Sequence, residues 1–296
     1  MRQVLPALAL ASSAIAVVTG CSPAATTAGT ADHQTRPRPS YYLALGDSLS
    51  QGVQPNSTGV SAKTRYGYAD QLYAELRGHH PGLRLVKLGC PGETTATMVN
   101  GGICPYPGGS QLAAAVRFLR SHRGQVSLIT LDIGANDPGS CLTQPFPIRL
   151  ASCVGKSIPQ VTTNLTKILT SLRGADPATR IIAMNYYLPA LAQWRNGLAG
   201  QWLARLTELA ATGYNTLLTH MYRAYGVHIA DVFSAFHTAD FTGRVTVPGY
   251  GTLPRNVAAI CQWTWECAAP PRGPNEHANQ VGYGVIAHLF QLAGAR

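Results

Sequence analysis

The sequence is short of charge. Asp, Glu, Lys and Arg together make up 12% of its 296 residues, with 13 acidic side chains against 23 basic ones. The formal charge is +10, but the Lys and Arg are scattered and never form a run of four. The continuous basic track of a nucleic-acid binder is therefore missing, and the charge reads as a mild preference for anionic surfaces such as lipid or envelope polymers. No G-x-x-x-x-G-K-[ST] or G-x-G-x-x-G loop is present to cradle a nucleotide. Neither H-E-x-x-H nor C-x-x-C occurs, and no His stands at ligand spacing from a Cys pair, which argues against zinc. G-x-S-x-G is also missing, so the α/β-hydrolase nucleophile elbow is not indicated. Past the N-terminal segment no apolar run is long enough to span a membrane, and no internal repeat is visible.

The N-terminal segment is of a different kind. Arg2 is followed by the apolar and small-residue stretch "VLPALALASSAIAVV", ending at "TGC". This is the pattern of a secretory signal, too short for a membrane span. "VVTGC" has the form of a bacterial lipobox, which would make Cys21 an acylated anchor; the alternative is an ordinary signal cut nearby. Residues 1–21 are read as this leader. Residues 22–40, rich in Ala, Thr, Pro and Ser, are read as a disordered tether with too little to bury to offset its ordering entropy. The remaining 41–296 fit one large domain. An exported chain meets an oxidising compartment, and besides Cys21 there are six cysteines. Their spacing groups them as Cys90–Cys104, Cys141–Cys153 and Cys261–Cys267, each closing a short loop.

Periodicity places strands at 41–46, 83–89, 126–134, 180–187 and 227–233. Helices are expected over 68–80, 110–122, 157–173, 202–226 and 280–293. Strands alternating with helices imply a five-stranded parallel sheet covered on both faces, with ligands bound outside the carboxyl ends of its strands. Three loops of small and polar residues fall at that edge: "GDSLS" after the first strand, "LGCPGETT" after the second and "IGAND" after the third. Ser48 can serve as a nucleophile if a base takes its proton. Gly89 has no Cβ, so its N–H can approach a substrate oxygen, and Asn136 carries a neutral amide donor. The Ser48 N–H is a third donor. His277, in "PNEHANQVGY" just before the last helix, is the candidate base. Asp47 either positions the Ser48 loop or is a plain turn residue, and Asp137 supports its own loop. Trp263 and Trp265 either line an acyl pocket or pack the Cys261–Cys267 loop, and "NYYLPAL" is placed to form another wall.

In order, "GDSLS", "GCPGETT", "GAND" and His277 followed by "GY" resemble the four sequence blocks of the SGNH (GDSL) hydrolases, across nearly the whole of 41–296. The resemblance implies a flavodoxin-like three-layer α/β/α fold and an esterase or lipase activity with no metal or cofactor. It also implies Ser48 as nucleophile, His277 as base, and Ser48, Gly89 and Asn136 as oxyanion donors. The paired cysteines look like those of the family's secreted actinobacterial lipases. The implied picture is an exported monomer acting on a small-molecule or lipid ester, held at a membrane surface through Cys21, with no nucleic-acid partner. One position departs from the pattern. The family's Asp three residues before the His is Pro274 here. The expected substitute is a backbone carbonyl such as that of Pro274, with Asp240 or Asp231 as alternatives.

Overall fold

The computed structural model describes residues 40–138 and 148–295. The leader, Cys21, most of the tether and Cys141 lie outside the described residues. Cys153 is disulfide-bonded.

The apolar runs become the core strands: β1 (Ser40–Gly46), β4 (Leu83–Lys87), β5 (Val126–Asp132), β6 (Arg180–Met184) and β7 (His228–Ala230). They form one parallel sheet in the order β4-β1-β5-β6-β7. Two short strands, β2 (Gln54–Pro55) and β3 (Ser61–Ala62), pair as a small hairpin beside the first loop. The chain leaves β1 toward one side of the sheet and β5 toward the other. The crevice between the ends of β1 and β5 is thus the switch point where such sheets bind ligands.

Helices cover both faces. α1 (Tyr68–His79) packs on the last helix, α8 (Gln280–Gly294). The short α2 (Thr95–Asn100) and α3 (Gln111–Ser121) pack on α4 (Ile148–Ala175), which meets α5 (Gly197–Ala224). Their starts follow local chemistry. Thr94 and Thr97 form a reciprocal capping box, Ser110 caps α3, and Asn279 accepts from Val281 N and Gly282 N.

The expected order of strands and helices holds, while several ends move. The fourth strand stops at Met184 because the Asn215 side chain takes over the backbone of Tyr186, accepting from its N–H (2.8 Å) and donating to its carbonyl (3.2 Å). The fifth stops at Ala230 because Asp231 caps the short α6 (Val232–Ala235). Beyond the expected elements, the chain forms the hairpin β8 (Arg244–Val247) and β9 (Gly251–Pro254), followed by α7 (Arg255–Trp263). The first part of "CQWTWEC" is therefore the end of a helix. Among the described residues no helix is long and apolar enough to cross a membrane.

Candidate active site

From Tyr42 to Pro55 every residue is buried except Ser48. The loop is fastened from beneath on both sides of that serine. Gln111 grips Gly46 with both ends of its amide, accepting from the Gly46 N–H at 2.7 Å and donating to its carbonyl at 2.9 Å. Asp132, the last residue of β5, accepts from the N–H groups of Asp47 (3.2 Å) and Ser50 (3.1 Å), one on each flank of Ser48. Asp47 accepts from Leu49 N at 2.9 Å, closing the turn. Asp47 thus bonds a local N–H, as a turn residue does, and the same bond shapes the loop that carries Ser48.

Asp47 and Asp132 are both buried, facing one another, and Tyr68 donates its hydroxyl to Asp132. Burial pushes Asp47 up to about 6. Burial, reinforced by the Asp47 charge, pushes Asp132 well above the carboxylate range. Burial and the neighbouring Asp47 charge both disfavour a second negative charge at Asp132.

His277 sits on the loop before α8, held by backbone bonds to the end of α7. Trp265 N donates to the His277 carbonyl (3.0 Å) and Asn279 N to that of Trp263 (2.9 Å). The Cys261–Cys267 disulfide closes this support. Tyr187 donates to the Glu276 carbonyl at 2.9 Å from behind. Neither Trp lines the site. Trp263 packs edge-on against Phe236, and Trp265 donates its indole N–H to Gln54 Oε1 at 3.2 Å.

The group that orients His277 is Asn275, which corrects the expectation of a Pro274 carbonyl or of Asp240 or Asp231. Asn275 Oδ1 lies 2.8 Å from His277 Nδ1 and also accepts from the His277 backbone N–H at 3.1 Å. A backbone N–H can only donate, so this Asn atom is the oxygen, and Nδ1 must carry the ring proton. Nε2 is then the free lone pair. Asn275 Nδ2 donates to Ser61 Oγ at 3.0 Å, fixing the amide from its other end. Asp240 is occupied by the 242–243 turn and Arg255, and Asp231 by Ser234 and Asn185. Burial lowers the His277 pKa below its ordinary 6.5, while the Glu276 carboxylate 3.8 Å away pulls it back upward.

Ser48, His277 and Asn136 share one cavity of about 340 Å³, with Val53, Ser61, Lys63, Pro91, Gly92 and Glu276. Asn136 spends one amide hydrogen on the Glu93 carbonyl (2.9 Å) and keeps the other. Asp137 accepts from Thr95 N (2.9 Å) and the Thr95 hydroxyl, tying the loop to α2. Gly89, the other expected oxyanion donor, is not among the residues that line this cavity. It is buried, and a Cβ there would stand 1.8 Å from Ser50 Oγ and 3.1 Å from the Asp47 carbonyl. Its lack of a side chain lets the loop pack. Gly92, at φ +82°, is the glycine that lines the cavity. Among the described residues, the N–H groups of Ser48, Gly89 and Gly92 have no protein acceptor, and no hydrogen bond joins Ser48 Oγ directly to His277. Catalytic hydrogen bonds commonly tighten only once substrate is bound. The Cys90–Cys104 disulfide braces this loop. Among the described residues no cluster of three or more His, Cys, Asp or Glu could hold a metal.

Asp132, Gln111, Gly92 and Asn275 were not singled out in these roles from sequence. Asp132 did leave a signal: a carboxylate closing a largely apolar strand, where burial demands a structural partner.

A five-stranded parallel α/β/α fold with a serine, an imidazole and amide donors at its switch point has the architecture of an SGNH-type hydrolase. The GDSL-like Lipase/Acylhydrolase family profile matches residues 44–249. The chain belongs to that family and is a carboxylic ester hydrolase. Solved structures share the fold. An extracellular lipase from Streptomyces rimosus matches with a TM-score of 0.56 and 20% identity, over 87% of this chain and 100% of that one. The lipase Lip_vut3 from a goat rumen metagenome gives 0.54 and 16%, over 86% and 97%. Phospholipase A1 from Streptomyces albidoflavus gives 0.50 and 19%, over 87% and 99%. No curated protein matches the sequence.

Proposed function

We propose that the protein is an exported serine esterase or lipase that hydrolyses carboxylic esters through an acyl-enzyme on Ser48. The observation that carries this reading is the pairing of the lone accessible residue of a buried loop with the imidazole whose free Nε2 shares its cavity. His277 Nε2 takes the Ser48 proton as Oγ attacks the ester carbonyl carbon. The carbonyl electron pair moves onto oxygen, where the N–H groups of Ser48 and Gly92 and the amide of Asn136 receive it. The intermediate collapses, and the leaving alcohol takes the proton from His277. Water, deprotonated by His277, then attacks the acyl carbon; Ser48 leaves as alkoxide and recovers that proton.

In this reading Asn275 does the work usually given to a carboxylate: it fixes the ring tautomer but adds no charge to steady the imidazolium. Asn275→Ala is expected to lower kcat about tenfold to a hundredfold with little change in KM. Asn275→Asp should retain activity and raise the midpoint of the acid limb. If Asn275→Ala leaves both kcat and the pH profile untouched, the positioning role is wrong.

The acid limb itself is a test. A base must be neutral to act, and burial holds His277 below 6.5. The kcat/KM profile on a soluble p-nitrophenyl ester should therefore stay flat from neutral pH to below 6.5 before falling. Glu276→Gln removes the carboxylate that raises the imidazole and should move the midpoint lower still. A limb above 6.5 would contradict the assignment.

Lipid and acylated-glycan esters both suit this chemistry, and a panel of acyl chain lengths separates a lipase from a short-chain esterase or deacetylase. A non-catalytic envelope-binding module would take no fluorophosphonate label while correctly folded. Export through the leader, with Cys21 as a lipid anchor, completes the proposal; the disulfides suit an oxidising destination.

A further inference from the structure

Among the described residues nine large apolar side chains are exposed, and four of them fall in one row. On α5, Leu198, Trp202, Leu206 and Leu209 are 78%, 74%, 39% and 67% exposed. Their spacing of four, four and three places them on one stripe, an arc of about 80° at 100° per residue. A single exposed leucine is ordinary, whereas an aligned row containing a tryptophan is not.

The position of the row in the fold gives it meaning. Tyr214, further along the same helix, donates to the Gly134 carbonyl at 2.7 Å, and Asn215 holds the backbone of Tyr186. Helix α5 is therefore level with the carboxyl edge of the sheet at residues 214–215. Residues 197–213 run on past that edge, on the side where Ser48 opens. At the helical rise, Leu198 stands about 24 Å beyond Tyr214.

The start of the row is cationic. No acidic residue occurs between Asp176 and Glu208, Arg195 and Arg205 are exposed there, and the half-buried Glu208 stands at the far end beside Leu209. Arg205 is held over the rings of Trp194 (5.2 Å) and Phe241 (4.7 Å), and Arg195 over Tyr250 (4.7 Å). A tryptophan and leucines bordered by arginines suit the boundary between acyl chains and anionic headgroups. Four side chains fall well short of the roughly 800 Å² per partner that a stable protein interface needs. We infer that the N-terminal half of α5 docks onto an anionic lipid surface, holding the Ser48 edge of the sheet toward it. The inference goes beyond the hydrolase reading and does not depend on Ser48 being reactive.

The test compares full-length chains that all carry Cys21→Ala, so that any affinity of the N-terminal segment is common to every arm. Co-sedimentation with vesicles of mixed phosphatidylglycerol and phosphatidylcholine reads binding. Trp202→Ser with Leu209→Ser should lower the partition coefficient about tenfold for each residue exchanged. Turnover of a soluble p-nitrophenyl ester should not change. Both side chains are exposed, so the fold should tolerate the exchange; Leu198→Ser, in the first turn, is the second variant if it does not. Unchanged partition in the variants, or no binding by the parent chain, overturns the inference. So does a dimer in sedimentation equilibrium that the same substitutions dissolve, since the row would then be covered by a second copy. Vesicle binding that drops in the variants while no chain hydrolyses any ester would sink the hydrolase reading and leave the docking surface standing.

Discussion

Ser48→Ala is expected to cut the hydrolysis of p-nitrophenyl esters by about 10⁴-fold or more, with the folded chain intact. The loop owes its shape to Gln111, Asp132 and the Asp47 turn, none of which uses the Ser48 hydroxyl. Thermal unfolding should therefore be nearly unchanged, and KM should move far less than kcat. Fluorophosphonate labelling should vanish with the hydroxyl. His277→Ala should cost about as much, and the double variant little more than either alone, because the two groups act as one unit. Additive losses, or a Ser48→Ala chain that still turns over a good fraction of its substrate, would refute the acyl-enzyme.

Gly89→Ala is expected to cost about a hundredfold in kcat although Gly89 does not line the cavity. The new methyl would meet Ser50 Oγ at 1.8 Å, Ser50 Cβ at 3.0 Å and the Asp47 carbonyl at 3.1 Å. Turning the Ser50 hydroxyl away relieves only the first contact and breaks its bond to the Asp47 carbonyl (2.8 Å). The backbone either side of Ser48 must then shift, and a displacement of about 1 Å at a reacting group is enough for a loss of about 10². Adding Ser50→Gly opens the space. It should restore part of the rate, giving a coupling that a double-mutant cycle measures. Gly92→Ala should behave differently. Nothing lies within 4 Å of its added Cβ, and the cost comes from φ +82°. No compensating small residue should rescue it. If Gly89→Ala proves silent, the packing account of this glycine fails.

Much of this arrangement was readable from the chain. Short apolar runs ending in small polar residues gave both the parallel sheet and the edge at which Ser48 and Asn136 emerge, because burial on two faces and exposure at one end leave that mark on composition. His277 was readable from its place before a helix. What escaped were the supports. Gln111 reaches Gly46 across 65 residues and Asp132 reaches Ser50 across 82. No local pattern announces which distant backbone a buried amide or carboxylate will satisfy. Gly89 and Gly92 look alike in "GCPGETT"; only the backbone path decides which faces the crevice. Asn275 carries no such mark: the family pattern points to a carboxylate three residues upstream, whereas an amide two residues upstream can reach the same nitrogen. The hairpin and α7 before His277 were missed because short, mixed segments carry weak periodicity.

The two aspartates under the serine also say something about surroundings. In the unfolded chain each would give up its proton near its ordinary 3.8, whereas in the native floor Asp47 holds on to about 6 and Asp132 longer still. Folding therefore takes up protons across that window, and the native state loses ground as pH climbs through it from about 3.8. The floor thus gains from protons that the base above it must shed, so fold and catalysis pull the pH dependence in opposite directions.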